Sequence, residues 1–208
     1  MQKKRIVVGV TGASGAVYAV RLLELIRSEA EVHLVISRAA QKVLRLETPF
    51  ISEEIEKFAH RVYDNDDFGA PIASGSFLVD GMVVVPCSIK TLSAIANGYS
   101  DTLISRAADV QLKERRKLVL CVRETPLHLG HLRLMTQATE SGAVICPPVP
   151  AFYAQPACIE DIVTQTAGKL LDLLNLSTES YKRWNGDCGS VEGQPAAFEA
   201  SGKVPFQQ

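Results

Sequence analysis

Apolar residues along this chain fall into short dense runs separated by longer stretches with helical spacing. Ile6 to Val10 (IVVGV) is apolar at both parities, as a strand covered on both faces of a parallel sheet must be. Ala16 to Ser28 follows, with Val17, Val20, Leu23, Leu25 and Ile26 spaced for one face of a helix. The alternation then repeats. EVHLVIS (Glu31 to Ser37) predicts a second strand and RAAQKVLRLE a second helix; GMVVVPCS predicts a buried strand leading into a helix that ends at Ala96, and RAADVQLKER another helix. KLVLCV and AVIC predict two further strands around the helix LGHLRLMTQATESG, which stops at Gly142, and a last helix spans Ile159 to Leu176. Strands alternating with helices of this length predict a three-layer α/β/α domain, built on a doubly wound, mostly parallel sheet of Rossmann-like type with right-handed crossovers.

Composition refines that picture. A chain of 208 residues suits one domain, read as 1–184, and 22 basic against 23 acidic side chains leave no broad electrostatic footprint for nucleic acid or an anionic membrane. From Asn185 to Gln208 the apolar periodicity stops while glycine and proline accumulate (Gly186, Gly189, Gly193, Pro195, Gly202, Pro205). This predicts a C-terminal tail, mobile or draped on a neighbouring subunit. Cys87, Cys121, Cys146, Cys158 and Cys188 are odd in number and form no Cys-x-x-Cys pair, which argues against a disulfide framework or a zinc knuckle and for a reducing compartment. The N-terminus, basic through Lys3, Lys4 and Arg5, leads straight into a strand too short for a signal sequence or a membrane span, so the expected location is the cytoplasm.

Candidate chemistry gathers where strands hand over to helices, because ligands of open α/β sheets bind outside the carboxyl ends of the strands. The first loop spaces Gly9, Gly12 and Gly15 as G-x-x-G-x-x-G, not as the G-x-G-x-x-G of dinucleotide sites, and lacks the Gly-Lys-Ser/Thr of an ATP cradle. What remains is a tight turn with exposed amides and the hydroxyls of Thr11 and Ser14, suited to an anion or a polar ring edge at a helix start. The second loop, Pro86 to Thr91, offers the Ser88 and Thr91 hydroxyls, helix-start amides and the Lys90 charge to a phosphate, while Cys87 reads as a small buried thiol. Arg123 and Glu124 end a third strand on the same side. His128 and His131, three apart at a helix start with no third ligand, read as capping or packing rather than metal binding. Pro147, Pro148 and Pro150 around Phe152 and Tyr153 make a stiff aromatic wall. Taken singly, each stretch also has an ordinary explanation: a turn without a ligand, a solvated lysine, an ion pair, a rigid connection.

In their order along the chain, TGASGA, ISRAA, SGSF, PCSIKTLSAIA, SRAADVQLKERRKLVL, RETPLHLGHLRLM and PPVPAFY resemble the UbiX-type flavin prenyltransferases, from Ile6 to about Trp184. The resemblance implies a homo-oligomer, usually a dodecamer, that binds FMN in sites completed at subunit interfaces. It implies that a dimethylallyl group is joined from dimethylallyl phosphate to N5 and C6 of reduced FMN. The prenylated FMN would then pass to a UbiD-type decarboxylase, in ubiquinone biosynthesis or aromatic-acid decarboxylation. Carried over residue by residue, the resemblance sets Gly12, Ala13, Ser14, Ser37, Ser88, Ile89, Lys90, Thr91 and Arg123 against FMN. It sets Tyr153 and Lys169, with Arg106, Lys113, Arg123 and Glu124, around the prenyl phosphate. Its catalytic set is Ser14 near N5, Glu47 and Glu124 for protons and phosphate positioning, Lys113 among the cations, and Trp184, which with Tyr153 offers π faces to an allylic cation-like species. Fixed cations would stabilise the departing phosphate without a metal.

Two departures from the family pattern stand out. Lys169 occupies a position where arginine is common, so a point charge replaces a planar bidentate donor. The chain beyond Trp184 is longer than the family core requires. The nearest rival is an FMN-dependent cysteine decarboxylase of related fold, but those proteins carry a PASANT-like turn where this chain has PCSIKT and lack the cations Arg106, Lys113 and Arg123. A non-catalytic FMN carrier is a second rival. Direct aromatic-acid decarboxylation is a third, and the phosphate-directed cations speak against it.

Overall fold

Most strands are followed by a helix that packs back against the sheet. The computed structural model describes residues 3–186. The chain runs through β1 (Lys4–Val10), α1 (Ala16–Ile26), β2 (Ala30–Ile36), α2 (Arg38–Glu47), α3 (Ser52–Ile55) and β3 (Arg61–Tyr63). It continues through β4 (Gly81–Cys87), α4 (Ile89–Ala96), α5 (Leu103–Lys113), β5 (Lys117–Val122), α6 (Leu129–Glu140), β6 (Val144–Ile145) and α7 (Ile159–Leu173). The predicted tail, 185–208, lies outside the described residues from 187 onward, and Cys188 with it.

The six strands form one parallel sheet in the order β3-β2-β1-β4-β5-β6. Alternate residues of the central strands feed two apolar layers. Ile6, Val8, Leu34, Val83 and Val119 meet Leu22, Leu23 and Ile26 of α1 and Leu170 and Leu171 of α7. Val7, Val35, Met82, Val84 and Leu120 meet Leu92 of α4, Leu103 and Ile104 of α5 and Ala138 of α6. This is the expected three-layer domain, and strands buried on both faces explain why their sequences show no polar alternation.

The predicted boundaries shift where local chemistry ends an element early. The last helix stops at Leu173 rather than Leu176, because Asn175 takes a left-handed φ of 59° and the Leu176 amide turns back to the Leu171 carbonyl at 2.9 Å. AVIC shortens to Val144–Ile145 at the sheet edge, although Cys146 still donates to Leu120 O at 2.9 Å. The stretch between α2 and β4 holds α3 and β3, which the apolar pattern does not announce. The reason is that β3 is a three-residue edge strand with Val62 44% exposed, so it carries no apolar run.

Strand order reverses direction between β1 and β4, so the crevice of this sheet lies between their carboxyl ends. The ladder between them stops at Gly9 and Val84. Beyond it, Thr11 takes over: its hydroxyl donates to Pro86 O at 2.7 Å and accepts from the Ser88 amide at 2.8 Å, while its own amide donates to Pro86 O at 3.3 Å. Thr11 is 3% exposed. Its hydroxyl is therefore spent inside the fold and is not offered to a ligand, which corrects the expectation from the sequence.

Thr11→Val keeps the shape and removes the stitch, leaving the Ser88 amide without its partner. It should cost roughly 1–3 kcal/mol, read as a lowered midpoint in urea unfolding. An unchanged midpoint would mean that the two loops hold together without it.

Candidate functional site

The first loop lies against α2 before it turns into α1. A Cβ on Gly12 would collide with that of Ala39 and sit 3.2 Å from its carbonyl carbon, so only glycine lets the loop approach this closely. Gly15 then takes φ 105°, a left-handed turn that opens α1 with its amides pointing outward. No side chain of the loop caps them. Glu47, the last residue of α2, does so from across the crevice: its Oε2 accepts from the Gly15 amide at 2.7 Å and the Ala16 amide at 3.0 Å. Desolvation pushes the Glu47 carboxyl up, but the Ser14 hydroxyl, the two amides and the charge of Arg123 outweigh it and hold the group below its ordinary value.

Two further helix starts face the same crevice. Ser37 donates its amide to Val10 O at 3.0 Å, which fastens α2 to the end of β1, and its hydroxyl caps the Ala40 amide at 3.1 Å. Ser88 caps α4 at the Thr91 amide, 3.4 Å away, and donates its hydroxyl to Thr91 Oγ1 at 3.2 Å. Lys90 departs from expectation. Its ammonium pairs with Asp101 at 2.8 Å, and that pairing is the first cause of the lowered Asp101 carboxyl, so the position brings a backbone amide and an already partnered charge. Arg123 continues β5, its amide donating to Cys87 O at 3.1 Å. Glu124 accepts from the Thr125 amide at 2.9 Å, and no ion pair joins these two neighbours among the described residues. Burial pushes the Cys87 thiol far up, so it stays a neutral core group. His128 accepts from the Gly130 amide at 3.0 Å and so caps α6, with its ring 3.6 Å from that of His131.

Past the carboxyl end of β6, a cavity of about 470 Å³ is lined by Tyr153, Gln165, Lys169, Asp172, Arg183 and Trp184. The proline-rich connection delivers Tyr153 on a short turn, Phe152–Ala154, and α7 delivers Gln165, Lys169 and Asp172. The segment after α7 comes back over the helix and sets Trp184 edge-on to Tyr153, centroids 5.7 Å apart at 74°. Asp172 fastens that segment. It binds Arg183 through both terminal guanidinium nitrogens, Nη2 at 2.8 Å, and accepts from the Tyr181 hydroxyl. Arg183 is accordingly the leading cause of the lowered Asp172 carboxyl, while burial first and Asp172 second push the Tyr181 phenol up to about 12.

Within one chain, two expected residues stay apart from this cavity. Arg106 and Lys113 lie on α5, which packs on the opposite face of the sheet. Arg106 donates to Ala73 O at 3.1 Å and pairs with Asp109 at 2.7 Å. Lys113 sits where α5 turns back into β5, at the far end of the strands, and pairs with Glu114. A helix that runs antiparallel to the strands carries its last residue away from their carboxyl ends, so no rotation of the Lys113 side chain closes that gap. Conversely, sequence reasoning passes over Gln165, Asp172 and Arg183. Only the spacing of Gln165, Lys169 and Asp172 along one stripe of α7 hints at them.

Comparison with known proteins agrees with this geometry. Residues 1–174 match the Flavoprotein family. The chain is 56% identical over 187 residues to the flavin prenyltransferase UbiX of Escherichia coli (strain K12), covering 88% of this chain and 99% of that relative. Among solved structures, AnUbiX (PadA1) in complex with FMN and dimethylallyl pyrophosphate superposes with a TM-score of 0.88 at 50% identity, covering 89% of this chain and 99% of that one. A dodecameric FMN-dependent Ubix-like decarboxylase from Escherichia coli O157:H7 superposes with a TM-score of 0.85 at 44% identity, covering 88% and 100%. Identity at this level, spread over nearly the whole length of those relatives, leads to one conclusion: the chain belongs to the Flavoprotein family and, within it, to the UbiX flavin prenyltransferases.

Proposed function

We propose that this protein joins a dimethylallyl group from dimethylallyl phosphate to N5 and C6 of reduced FMN, and that the prenylated flavin passes to a UbiD-type decarboxylase. One observation carries the reading: the helix-start amides at the switch point and a cavity that pairs a cation, Lys169, with two aromatic rings, Tyr153 and Trp184, lie at the carboxyl ends of the same sheet. A flavin phosphate and a prenyl phosphate each find the surface their chemistry needs. The crevice fits FMN through the amides and hydroxyls of Gly12, Ala13, Ser14, Ser37, Ser88, Ile89, Lys90 and Thr91, with Arg123 between the two halves. The Lys90–Asp101 pair is exposed, worth at most about 1 kcal/mol, so an arriving phosphate can draw the ammonium away from Asp101. Reduced FMN, when bound, supplies the nucleophilic nitrogen and ring carbon.

The residues of this chain do the rest. Tyr153, Lys169 and Arg123 hold the ester phosphate and stabilise the charge it gains as it leaves. Trp184 and Tyr153 flank the allylic group with π faces and keep nucleophiles off it. Glu47, ionised beside Ser14, takes up the proton that the flavin edge would lose, and Glu124 positions the phosphate. We assign Arg106 and Lys113 to the site of a second copy. Their place on the opposite face supports this, as do the exposed apolar residues Leu129, Val149 and Phe152, and the assembly we propose is a homo-oligomer, a dodecamer like its relative. We read 1–184 as one domain and place the protein in the cytoplasm, which the buried free thiols Cys87 and Cys121 support; among the described residues no helix is long and apolar enough to cross a membrane.

Three measurements test this reading. Incubated without oxygen with reduced FMN and dimethylallyl phosphate, the purified protein should release a flavin heavier by one prenyl unit on mass spectrometry; unchanged FMN with either the monophosphate or the diphosphate would overturn it. Lys113→Ala and Lys169→Ala should each slow turnover roughly a hundredfold, while their co-assembled mixture should regain about a quarter of wild-type sites by random pairing. No recovery would place both lysines in one chain's site. Finally, a carboxyl depressed below its ordinary 4.5 contributes stability above that pH and loses it as pH falls through the lower folded value. The urea stability of wild type relative to Glu47→Gln should therefore be level above pH 5 and shrink below about pH 4.5. A level difference throughout would show that the Glu47 charge braces nothing.

A further inference from the structure

Gln165 is 8% exposed and lies one helical turn before Lys169 on the same stripe of α7. Its Nε2 donates to Lys182 O at 3.1 Å and to the Tyr153 hydroxyl oxygen at 3.1 Å. A backbone carbonyl only accepts, so the contact with Lys182 fixes which end of the amide is nitrogen, and that same nitrogen faces the phenol. The Tyr153 oxygen is thereby an acceptor toward Gln165. Its one hydroxyl hydrogen is left for the open side, where the cavity holds Lys169. Without the amide, the phenol would be free to turn that hydrogen away from the cavity and would present a lone pair to it instead.

We propose that Gln165 is a positioning residue for the prenyl donor: it orients Tyr153 as a hydrogen-bond donor to a phosphate oxygen of the ester. The inference rests on the prenyltransferase reading above and goes beyond it by naming what aims the phenol. No bond is made or broken at Gln165. An anionic ester repels an oxygen lone pair and attracts an O–H, so the direction of one hydrogen decides whether Tyr153 aids or opposes binding.

The test is a double-mutant cycle read as kinetics of prenylated FMN formation without oxygen. Gln165→Met, similar in size and lacking both donors, should raise KM for dimethylallyl phosphate about tenfold, with kcat changed less than about threefold and FMN affinity unchanged. Gln165→Glu, which offers the phenol an acceptor, should raise KM further. In a Tyr153→Phe background most of the Gln165→Met effect should vanish, because the group it acts through is gone. A tenfold effect that persists beside Tyr153→Phe, an unchanged KM in Gln165→Met, or an equal loss of FMN affinity would overturn the proposal while leaving the prenyltransferase reading intact. If wild type bound FMN but formed no prenylated flavin, that reading would fall and this inference with it.

Discussion

The crevice of this protein depends on one buried hydroxyl. At the switch point the chain leaves β1 toward one face of the sheet and leaves β4 toward the other, so the two loops diverge just where a ligand must span both. Ladder hydrogen bonds cannot hold them, since pairing ends at Gly9 and Val84 and Pro86 has no amide hydrogen to donate. Thr11 uses its hydroxyl as donor and acceptor at once, to Pro86 O and from the Ser88 amide, and so carries the pairing past the end of the ladder. The α1 and α4 helix starts keep their relative placement through that hydroxyl together with the Thr11 amide, which also donates to Pro86 O.

The polar groups around the crevice are largely committed to one another, and this explains what is left to bind an anion. Glu47 is committed to the Gly15 and Ala16 amides, and Lys90 to Asp101. These commitments differ in strength. The Glu47 contact joins a partly desolvated carboxylate to a helix start, where charge, amides and dipole act together. The exposed lysine pair is screened by water and gives way readily. The crevice therefore combines firmly capped helix starts with one weakly held cation, Lys90.

The neighbouring cavity is organised differently. Its walls come from three separate stretches, the Phe152–Ala154 turn, α7 and the segment ending in Trp184, and among the described residues side chains make the hydrogen bonds that join them. Asp172 and Gln165, seven residues apart on one helix, supply most of those contacts. A cavity held by side chains from a single helix can rearrange without disturbing the sheet, whereas the crevice, built on strand ends, cannot.

Much of this was legible in the residues alone. Dense β-branched runs alternating with helical spacing specified the parallel sheet, because burial on both faces leaves no other pattern for a strand. The motifs PCSIKTLSAIA and RETPLHLGHLRLM marked the crevice, because strand ends of such sheets converge on one edge. The edge strand β3 was not legible, since a three-residue, half-exposed strand has no pattern to show. Nor was the use of each polar group: whether the Thr11 hydroxyl faces a ligand or the fold, whether Lys90 is free, and which end of the Gln165 amide meets Tyr153 depend on contacts between residues 75, 11 and 12 positions apart. Sequence determined which elements form and where their ends meet, because burial and propensity act locally along the chain. Only the tertiary structure decided which hydrogen bonds were already taken, and that Arg106 and Lys113 face away from their own cavity, because both follow from how distant segments pack.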